Sequence, residues 1–349
     1  MKGFLRIFSL CLCVLLCSSS LFGCSPKQEK MTDMGFDLFD SFYELTVYSD
    51  DREAFERYAT LCRDRLEKYH RLFDIYHSYE GLNNLKAVND RAGEAVTVSP
   101  ELFSFLQYAK DLYVLTNGYT NIALGSVLTL WHDARTAALA DPNKKGTPPD
   151  DNAIRQAMAH TDINSLILSE NGATVTLSDP LMSLDAGAVG KGYAAEQVAR
   201  ELLSAGCTSF LLNVGGNTVA YGTKPNQEAW RAEIHVPEGH KGYGQTLSLC
   251  GKALVTSGSY ERYFVHDGVR YHHIINPYTG YPNQAYISIS VLCADSGRAD
   301  ALSTALFSMP LTDGMALIAS LPDTEAVWMT ADGQTIVSNG LANDIGGDK

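Results

Sequence analysis

The chain has 349 residues, of which 45% are hydrophobic and 19% are charged, and its formal net charge is −13 at pH 7. This composition indicates a globular protein with enough residues for one large domain or two small ones. The negative charge and the lack of a basic patch argue against nucleic acid as a partner, since binding to nucleic acid requires clustered Lys and Arg.

The first 23 residues have the pattern of a lipoprotein signal peptide. Lys2 and Arg6 give a positive start, and Ile7–Leu16 is an apolar segment too short to span a bilayer. Leu21–Cys24 then resembles a lipobox, which would make Cys24 the lipidated first residue. We therefore expect a lipid anchor that holds the protein on the extracytoplasmic face of the cell membrane. Ordinary secretion after cleavage at another residue is the alternative.

Residues 24–33 are polar and predict a flexible tether, residues 34–338 a single domain, and residues 339–349 a frayed tail. Four cysteines follow the tether, widely spaced and without a Cys-x-x-Cys pair. This spacing favours small buried side chains over a zinc site or a disulfide set. The four are Cys62, Cys207, Cys250 and Cys293.

The first half of the domain begins with a predicted strand over Phe36–Tyr48. Asp51–Tyr69 has apolar residues at helical spacing and predicts a helix. Another helix begins at Ser99-Pro100, with the serine as its N-cap, and ends at Gly118. Ala134–Asp151 contains three prolines and several charges, so we expect an irregular excursion on the surface.

Strands dominate the second half. Asn171-Gly172 and Asp267-Gly268 separate β-rich segments and predict hairpins. The other predicted elements are a helix over Gly192–Ser204, strands over Ser209–Val214, Arg231–Val236, Thr246–Leu249 and Ile287–Cys293, helices from Asp295 or Ser296 to Ser308 and over Gly314–Ser320, and a hairpin of Val327–Met329 with Thr335–Val337. Because strands and helices do not alternate regularly, the fold class is predicted to be α+β.

Chemically useful side chains fall at the ends of these elements. Asp300 and Thr304 are four apart on a predicted helix, so their oxygens share one face and form a pair suited to Mg²⁺. The alternative is that Asp300 only stabilises the start of its helix. Lys191 stands among glycines where a helix begins, so its ammonium and the helix N-terminus could both face a phosphate. A solvated lysine is the alternative.

His273 is the candidate general base, because an unperturbed imidazole has a pKa of about 6.5 and can accept a proton at neutral pH. The neighbouring His272 would point to the opposite face of a strand, and we interpret it as structural or solvated. A surface hairpin with two solvated histidines is the alternative for this segment.

Five segments resemble the ApbE-like flavin transferase family in order and spacing. They are Asp185–Ala194 for Asp-x-Gly-Ala-x-x-Lys-Gly-Tyr-Ala, Asn213–Gly216 for Asn-x-Gly-Gly, Thr256–Arg262 for Thr-Ser-Gly-x-Tyr-Glu-Arg, His273–Gly280 for His-x-Ile-Asp-Pro-x-Thr-Gly, and Ala299–Thr304 for Ala-Asp-Ala-x-x-Thr. Weaker matches reach back to about residue 36, so the resemblance covers nearly the whole mature chain. It implies one two-lobed α+β domain with largely antiparallel sheets packed by helices, as in T-fold-like proteins.

The resemblance implies a Mg²⁺-dependent transfer of FMN from FAD to a Ser or Thr hydroxyl of an extracytoplasmic flavoprotein, with release of AMP. It implies that Asp300, Thr304 and the backbone carbonyl of Ala188 bind the metal, and that Asp185 and Lys191 contact FAD. A histidine that matches His273 lies at the active site of the family.

The resemblance also implies a flavin pocket lined by Phe39 and Tyr76, with further FAD contacts from Tyr119, Thr120 and Asn121; these aromatic residues could instead be core. Asn121 and Asn276 stand where the family has Asp. These replacements remove negative charge, and at Asn276 they remove a carboxylate that could orient the histidine. Two alternative functions remain open: a Mg²⁺-dependent FAD pyrophosphatase, and a lipoprotein that only binds FAD.

Overall fold

An eight-stranded sheet, in which all neighbouring strands are antiparallel, is the main feature of the fold. The computed structural model describes residues 28–140, 146–236, 244 and 246–344. The strands of the large sheet, in spatial order, are β1 (Glu29–Leu38), β2 (Ser41–Ser49), β6 (Phe210–Val214), β7 (Asn217–Tyr221), β10 (Lys252–Gly258), β13 (Tyr286–Cys293), β14 (Glu325–Thr330) and β15 (Thr335–Val337).

Smaller sheets and helices surround the large sheet. The small sheets are β3 (Ala95–Thr97) with β5 (Thr174–Leu177) and β4 (Leu166–Ser169), β8 (Trp230–Glu233) with β9 (Thr246–Leu249), and β11 (Tyr263–His266) with β12 (Val269–His272). The helices are α1 (Arg52–Phe73), α2 (Leu85–Asp90), α3 (Pro100–Leu115), α4 (Gly125–Ala140), α5 (Asp151–Met158), α6 (Gly190–Ser204), α7 (Ser296–Ser308), α8 (Leu311–Ser320) and α9 (Asn339–Asp344).

Two of the hydrophobic cores that lie against the large sheet are built with helices. In the larger one, α1 and α6 pack on β2, β6 and β7, and α3 packs on α1 and α6. In the other, α7 and α8 pack on β10, β13 and β14. The sequence pattern explains α1, which begins after the N-cap Asp51 and buries Phe55, Ala59, Cys62 and Leu66 at helical spacing. Because α6 and α7 contact each other, they join the two cores.

The predicted α+β class with antiparallel sheets is confirmed, but several boundaries differ. Glu29 pairs with Ser49, so residues 29–33 belong to β1 and not to the tether. The single predicted strand over Phe36–Tyr48 is the end of β1 and most of β2. Phe39 and Asp40, between the strands, have left-handed φ angles of 55° and 51° without the Asn-Gly signal typical of such turns.

Two segments are more ordered than their composition indicates. The start of the predicted surface excursion, residues 134–140, is the end of α4, and Asp151 begins α5. The predicted frayed tail contains α9, in which Leu341 is buried. Among the cysteines, Cys62, Cys207 and Cys293 are buried as predicted, whereas Cys250 is exposed.

The predicted signal peptide and Cys24 lie outside the described residues. Among the helices of the described ranges, none is long and apolar enough to cross a membrane.

Candidate active site

A cavity of about 930 Å³ collects almost all of the predicted site residues. Its walls come from the β1–β2 turn, the loop before α6, the first turn of α6, α4, α7 and the segment after β12. The predicted residues that line it are Phe39, Tyr76, Tyr119, Asn121, Asp185, Ala188, Lys191, His273, Asp300 and Thr304.

Thr120, which was predicted to contact FAD, is not among the residues that line this cavity. The residue is buried, and its hydroxyl donates a hydrogen bond of 2.6 Å to the backbone carbonyl of Ala301. Its backbone N–H donates to the Thr116 hydroxyl at 3.1 Å. Thr120 therefore fixes the loop after α3 to α7.

The oxygen-bearing side of the cavity is where α6 meets α7. Asp300 is buried, and its Oδ2 accepts a hydrogen bond of 2.8 Å from the backbone N–H of Gly192. A Cβ on Gly192 would lie 2.4 Å from the carbonyl oxygen of Ser296, so only glycine permits this approach. Burial raises the pKa of Asp300, while Lys191 and the Gly192 N–H act in the opposite direction. Thr304 lies one turn further along α7 and faces the same cavity.

This donor set fits a hard cation. One carboxylate, one hydroxyl and one backbone carbonyl are all oxygen ligands, and they leave coordination positions for water or phosphate, as Mg²⁺ prefers. Among the described residues, no group of three or more His, Cys, Asp or Glu could hold a metal ion.

The loop before α6 and its first turn hold Asp185 and Lys191. Oδ1 of Asp185 accepts a hydrogen bond of 2.7 Å from the N–H of Gly187, and burial raises the pKa of this carboxyl group. Val189 at the N-cap of α6 makes no side-chain capping bond. The start of α6 thus offers the ammonium group of Lys191 to an anion in the cavity, whereas the N–H groups of Gly190 and Gly192 already donate to Ala186 and Asp300.

His273 faces the cavity with a neutral ring. Its Nδ1 is buried and has no hydrogen-bond partner within the described part of the chain. Burial, together with the nearby charges of Arg262 and Lys191, lowers the pKa of His273 to about 3. An anion bound among these cations would raise this pKa, because opposite charge stabilises the imidazolium ion.

His272 is structural, as one of the two interpretations predicted. It is only 2% exposed, its Nε2 lies 2.8 Å from the carbonyl oxygen of Asn283, and its Nδ1 accepts a bond of 3.2 Å from the N–H of Ile274. Burial lowers its pKa to about 4. The solvated alternative for His272 is wrong.

The two asparagines at family Asp positions are placed differently. Asn121 lines the cavity. Its side-chain amide donates a hydrogen bond of 2.9 Å to the carbonyl of Thr161, and its Oδ1 accepts one of 2.9 Å from the N–H of Ala123. Asn276 is not among the lining residues, and its amide is hydrogen-bonded within the fold. Within the described part of the chain, neither asparagine forms a hydrogen bond with His273.

Aromatic rings line another part of the cavity. The backbone N–H of Phe39 donates a hydrogen bond of 3.1 Å to Nδ1 of His70. The ring of Phe39 also packs edge-on against the ring of His70. Tyr76 is 52% exposed, so the alternative of a core residue is wrong for it. Tyr119 packs edge-on against Tyr278 with ring centroids 4.8 Å apart.

Three basic residues of the lining were missed as ligand candidates. His132 and Arg135 lie three apart on α4, where a guanidinium N–H of Arg135 lies 3.1 Å from Nδ1 of His132. Arg262 donates to the backbone carbonyls of Phe39 and Asp40 at 3.3 and 3.2 Å. Two sequence signals could have found them. One is the i, i+3 spacing of His132 and Arg135, which would place both on one face of a helix, and the other is the position of Arg262 at the end of the Thr256–Arg262 motif.

Comparisons with known proteins identify the family. The ApbE family model matches residues 39–328. A FAD:protein FMN transferase of Klebsiella pneumoniae is 32% identical over 279 residues, which is 77% of this chain and 84% of the relative. One of Treponema pallidum is 33% identical over 280 residues, 75% of this chain and 74% of the relative.

Solved structures match over a similar extent. The ApbE protein of Thermotoga maritima has a TM-score of 0.79 at 26% identity and covers 90% of this chain and 99% of its own. The flavinyl transferase ApbE of Pseudomonas stutzeri, in its apo form, has a TM-score of 0.78 at 24% identity, with 94% and 100% covered. The chain therefore belongs to the ApbE family of flavin transferases.

Proposed function

We propose that this protein is a Mg²⁺-dependent FAD:protein FMN transferase that modifies a Ser or Thr hydroxyl of an extracytoplasmic flavoprotein. The observation that carries the proposal is the convergence of Asp300, Thr304, Lys191 and His273 on one cavity. The related proteins of Klebsiella pneumoniae and Treponema pallidum bear the name of the same activity.

The reaction exchanges one P–O bond for another. The acceptor hydroxyl oxygen attacks the phosphorus next to riboflavin, and the bond from that phosphorus to the AMP oxygen breaks. AMP leaves with the bonding electron pair, the hydroxyl proton passes to a base, and FMN remains joined to the acceptor by a phosphoester. The reaction requires a base, cations for the phosphates and a polar environment arranged in advance.

His273 is suited to take the hydroxyl proton. Its ring is neutral in the absence of an anion, because burial and nearby cations lower its pKa to about 3. Binding of the pyrophosphate beside Lys191 and Arg262 would offset those charges and make the imidazole a stronger base. His273 would therefore become a strong enough base only when FAD is bound.

Asp300, Thr304 and the carbonyl of Ala188 are the groups that would hold Mg²⁺. When bound, this ion supplies charge stabilisation to the phosphate oxygens. Lys191 binds and orients the pyrophosphate from the protein side. Phe39 and Tyr76 provide aromatic surface for the flavin ring.

The test uses the full chain in detergent, FAD, Mg²⁺ and an acceptor domain modified by one of the related transferases. Intact-mass spectrometry reports the acceptor, and chromatography reports AMP. A mass increase of one FMN on the acceptor, dependent on Mg²⁺, is expected. Release of AMP and free FMN without an adduct would favour the pyrophosphatase, and bound FAD without AMP would leave the binding protein.

We also propose that Cys24 anchors the protein in the cell membrane on its extracytoplasmic face. The order of positive start, apolar segment and lipobox supports this proposal. In cells fed a labelled fatty acid, the wild-type chain should carry label and sediment with membranes. Label retained by Cys24→Ala would contradict the assignment.

A further inference from the structure

A reciprocal pair of hydrogen bonds fixes α6 against α7. In one, Oδ2 of Asp300 on α7 accepts from the backbone N–H of Gly192 on α6 at 2.8 Å. In the other, Oε2 of Glu196 on α6 accepts from the backbone N–H of Ser296 on α7 at 3.0 Å. Each helix thus provides a carboxylate to the first turn of the other, where backbone N–H groups lack intrahelical partners.

The spacing of the pair sets the register of the two helices. Gly192 and Glu196 are four residues apart on α6, and Ser296 and Asp300 are four apart on α7. Four residues advance a helix by about 6 Å. The two bonds are therefore about one turn apart on antiparallel helices, and a slip of α7 along α6 would break both of them.

Glu196 is built into the fold rather than solvated. It is 3% exposed, and its second oxygen, Oε1, accepts a bond of 2.9 Å from Nε of Arg200. Arg200 also donates a hydrogen bond of 3.0 Å to Oδ2 of Asp295. The hydroxyl of Tyr108 on α3 donates one of 2.6 Å to Oδ1 of Asp295. The start of α7 is consequently held by groups from both α6 and α3.

We propose that Glu196 is a positioning residue for the metal site, which fixes α7 on α6 so that the Asp300 carboxylate and the Thr304 hydroxyl face the cavity together. This inference rests on the proposed function, since it assigns Asp300 and Thr304 to Mg²⁺. Glu196 itself does not line the cavity. Its effect passes through Ser296 and one turn of α7.

The close packing at this crossing makes the position of α7 sensitive to Glu196. Because Gly192 has no Cβ, the two helices approach to a distance at which any side chain there would collide with Ser296 and Asp300. Removal of the Glu196 carboxylate leaves the buried N–H of Ser296 without its acceptor. It also leaves Arg200 without one of its two carboxylate partners. A shift of α7 would relieve the first of these costs and would displace Asp300.

The experiment measures Mn²⁺ binding to the full chain without FAD, by electron paramagnetic resonance, together with thermal stability. In Glu196→Ala, we expect the Mn²⁺ affinity to fall by about 10- to 100-fold, the usual effect of removing a group that orients a metal ligand. Glu196→Gln keeps an oxygen acceptor for the Ser296 N–H, so it should stay within about threefold of wild type. Glu201→Ala, on the same helix and ion-paired with Arg65, is the matched control and should not change the affinity.

The outcomes separate the inference from the function on which it rests. Wild-type Mn²⁺ affinity in a folded Glu196→Ala variant would overturn the inference and leave the metal site intact. Equal losses in Glu196→Gln and Glu196→Ala would also overturn it, because the retained acceptor would then have no role. If Glu196→Ala does not fold, Glu196→Asp decides, since its shorter carboxylate cannot hold both partners and should weaken Mn²⁺ binding. No Mn²⁺ binding in wild type would instead contradict the proposed metal dependence.

Discussion

The side-chain amide of Asn276 donates a hydrogen bond of 3.1 Å to the backbone carbonyl of Ser308, the last residue of α7. Its Oδ1 accepts a hydrogen bond of 2.8 Å from the N–H of Tyr278. The carbonyls at the end of a helix lack intrahelical donors, so Asn276 satisfies one of them. An aspartate could not donate this bond, which gives a structural reason for asparagine where the family has Asp.

Asn276→Asp should therefore destabilise the fold and should not raise activity. A carboxylate would face the carbonyl oxygen of Ser308, and the cost of such an unsatisfied acceptor is about 1–3 kcal/mol. Urea unfolding measures the loss. Asn152→Asp, at an exposed position in the first turn of α5, is the control and should change stability by less than about 0.5 kcal/mol. Unchanged stability of Asn276→Asp would refute the role of its amide.

Asp300→Asn should keep the fold and lose the metal. An asparagine Oδ1 can still accept the N–H of Gly192, so the melting temperature should remain near wild type. The lost negative charge should reduce Mg²⁺-dependent AMP release by more than about 100-fold, beyond the usual effect of changing a group that only supports a ligand. The measurement is AMP release against Mg²⁺ concentration, and an unaltered Mg²⁺ dependence would remove Asp300 from the metal site.

His273→Ala should bind FAD but transfer FMN slowly. General-base catalysis contributes about 10²- to 10⁴-fold, so the rate of transfer should fall within that range. Fluorescence titration gives FAD affinity, and acceptor mass gives the rate. His160→Ala, whose histidine is paired with Asp179 away from the cavity lining, serves as the control. Transfer at the wild-type rate by His273→Ala would exclude this histidine as the base.

Arg135→Gln should weaken binding of phosphate-bearing ligands selectively. Burial and repulsion from Arg262 lower the pKa of Arg135, although Tyr76, Asp40 and Asp185 act in the opposite direction. We expect FAD affinity to fall by roughly tenfold and riboflavin affinity to stay constant, because only FAD brings negative charge. Calorimetry with both ligands, and with the exposed Arg155→Gln as control, measures this difference. Equal losses for FAD and riboflavin would instead indicate that Arg135 supports the shape of the flavin pocket.

Acid should destabilise the protein through His272. Its folded pKa is about 4 because of burial, whereas an unfolded histidine titrates near a pKa of about 6.5. As pH falls through this window, the unfolded state takes up a proton that the folded state does not. The contribution of His272 to the free energy of unfolding is therefore complete above pH ~6.5 and is lost towards pH ~4. The loss should be roughly 3 kcal/mol.

His272→Gln should have a flatter dependence of unfolding free energy on pH over the same window, because glutamine does not titrate. The exposed His235→Gln should leave the slope of wild type unchanged. Parallel curves for wild type and His272→Gln would contradict the assignment.

Much of the candidate site could be predicted because its groups lie in short motifs. The i, i+4 spacing of Asp300 and Thr304 placed both on one face of a helix, and the glycines around Lys191 indicated a close approach of backbone. Contacts between distant parts of the chain could not be predicted in this way. Thr120 sits next to lining residues, but its hydroxyl donates to the carbonyl of Ala301, which is 181 positions away, and nothing in the local spacing indicates that contact.

The sequence by itself determined the order of strands and helices in most of the domain, the family and the residues that carry polar chemistry, since each of these depends on residues a few positions apart. Only the tertiary structure decided that Arg135 faces the cavity, that Asn276 supports the end of α7, and that Glu196 meets Ser296 across 100 positions of chain. Such contacts depend on how helices and sheets pack, and packing is set by the shape and burial of many side chains at once.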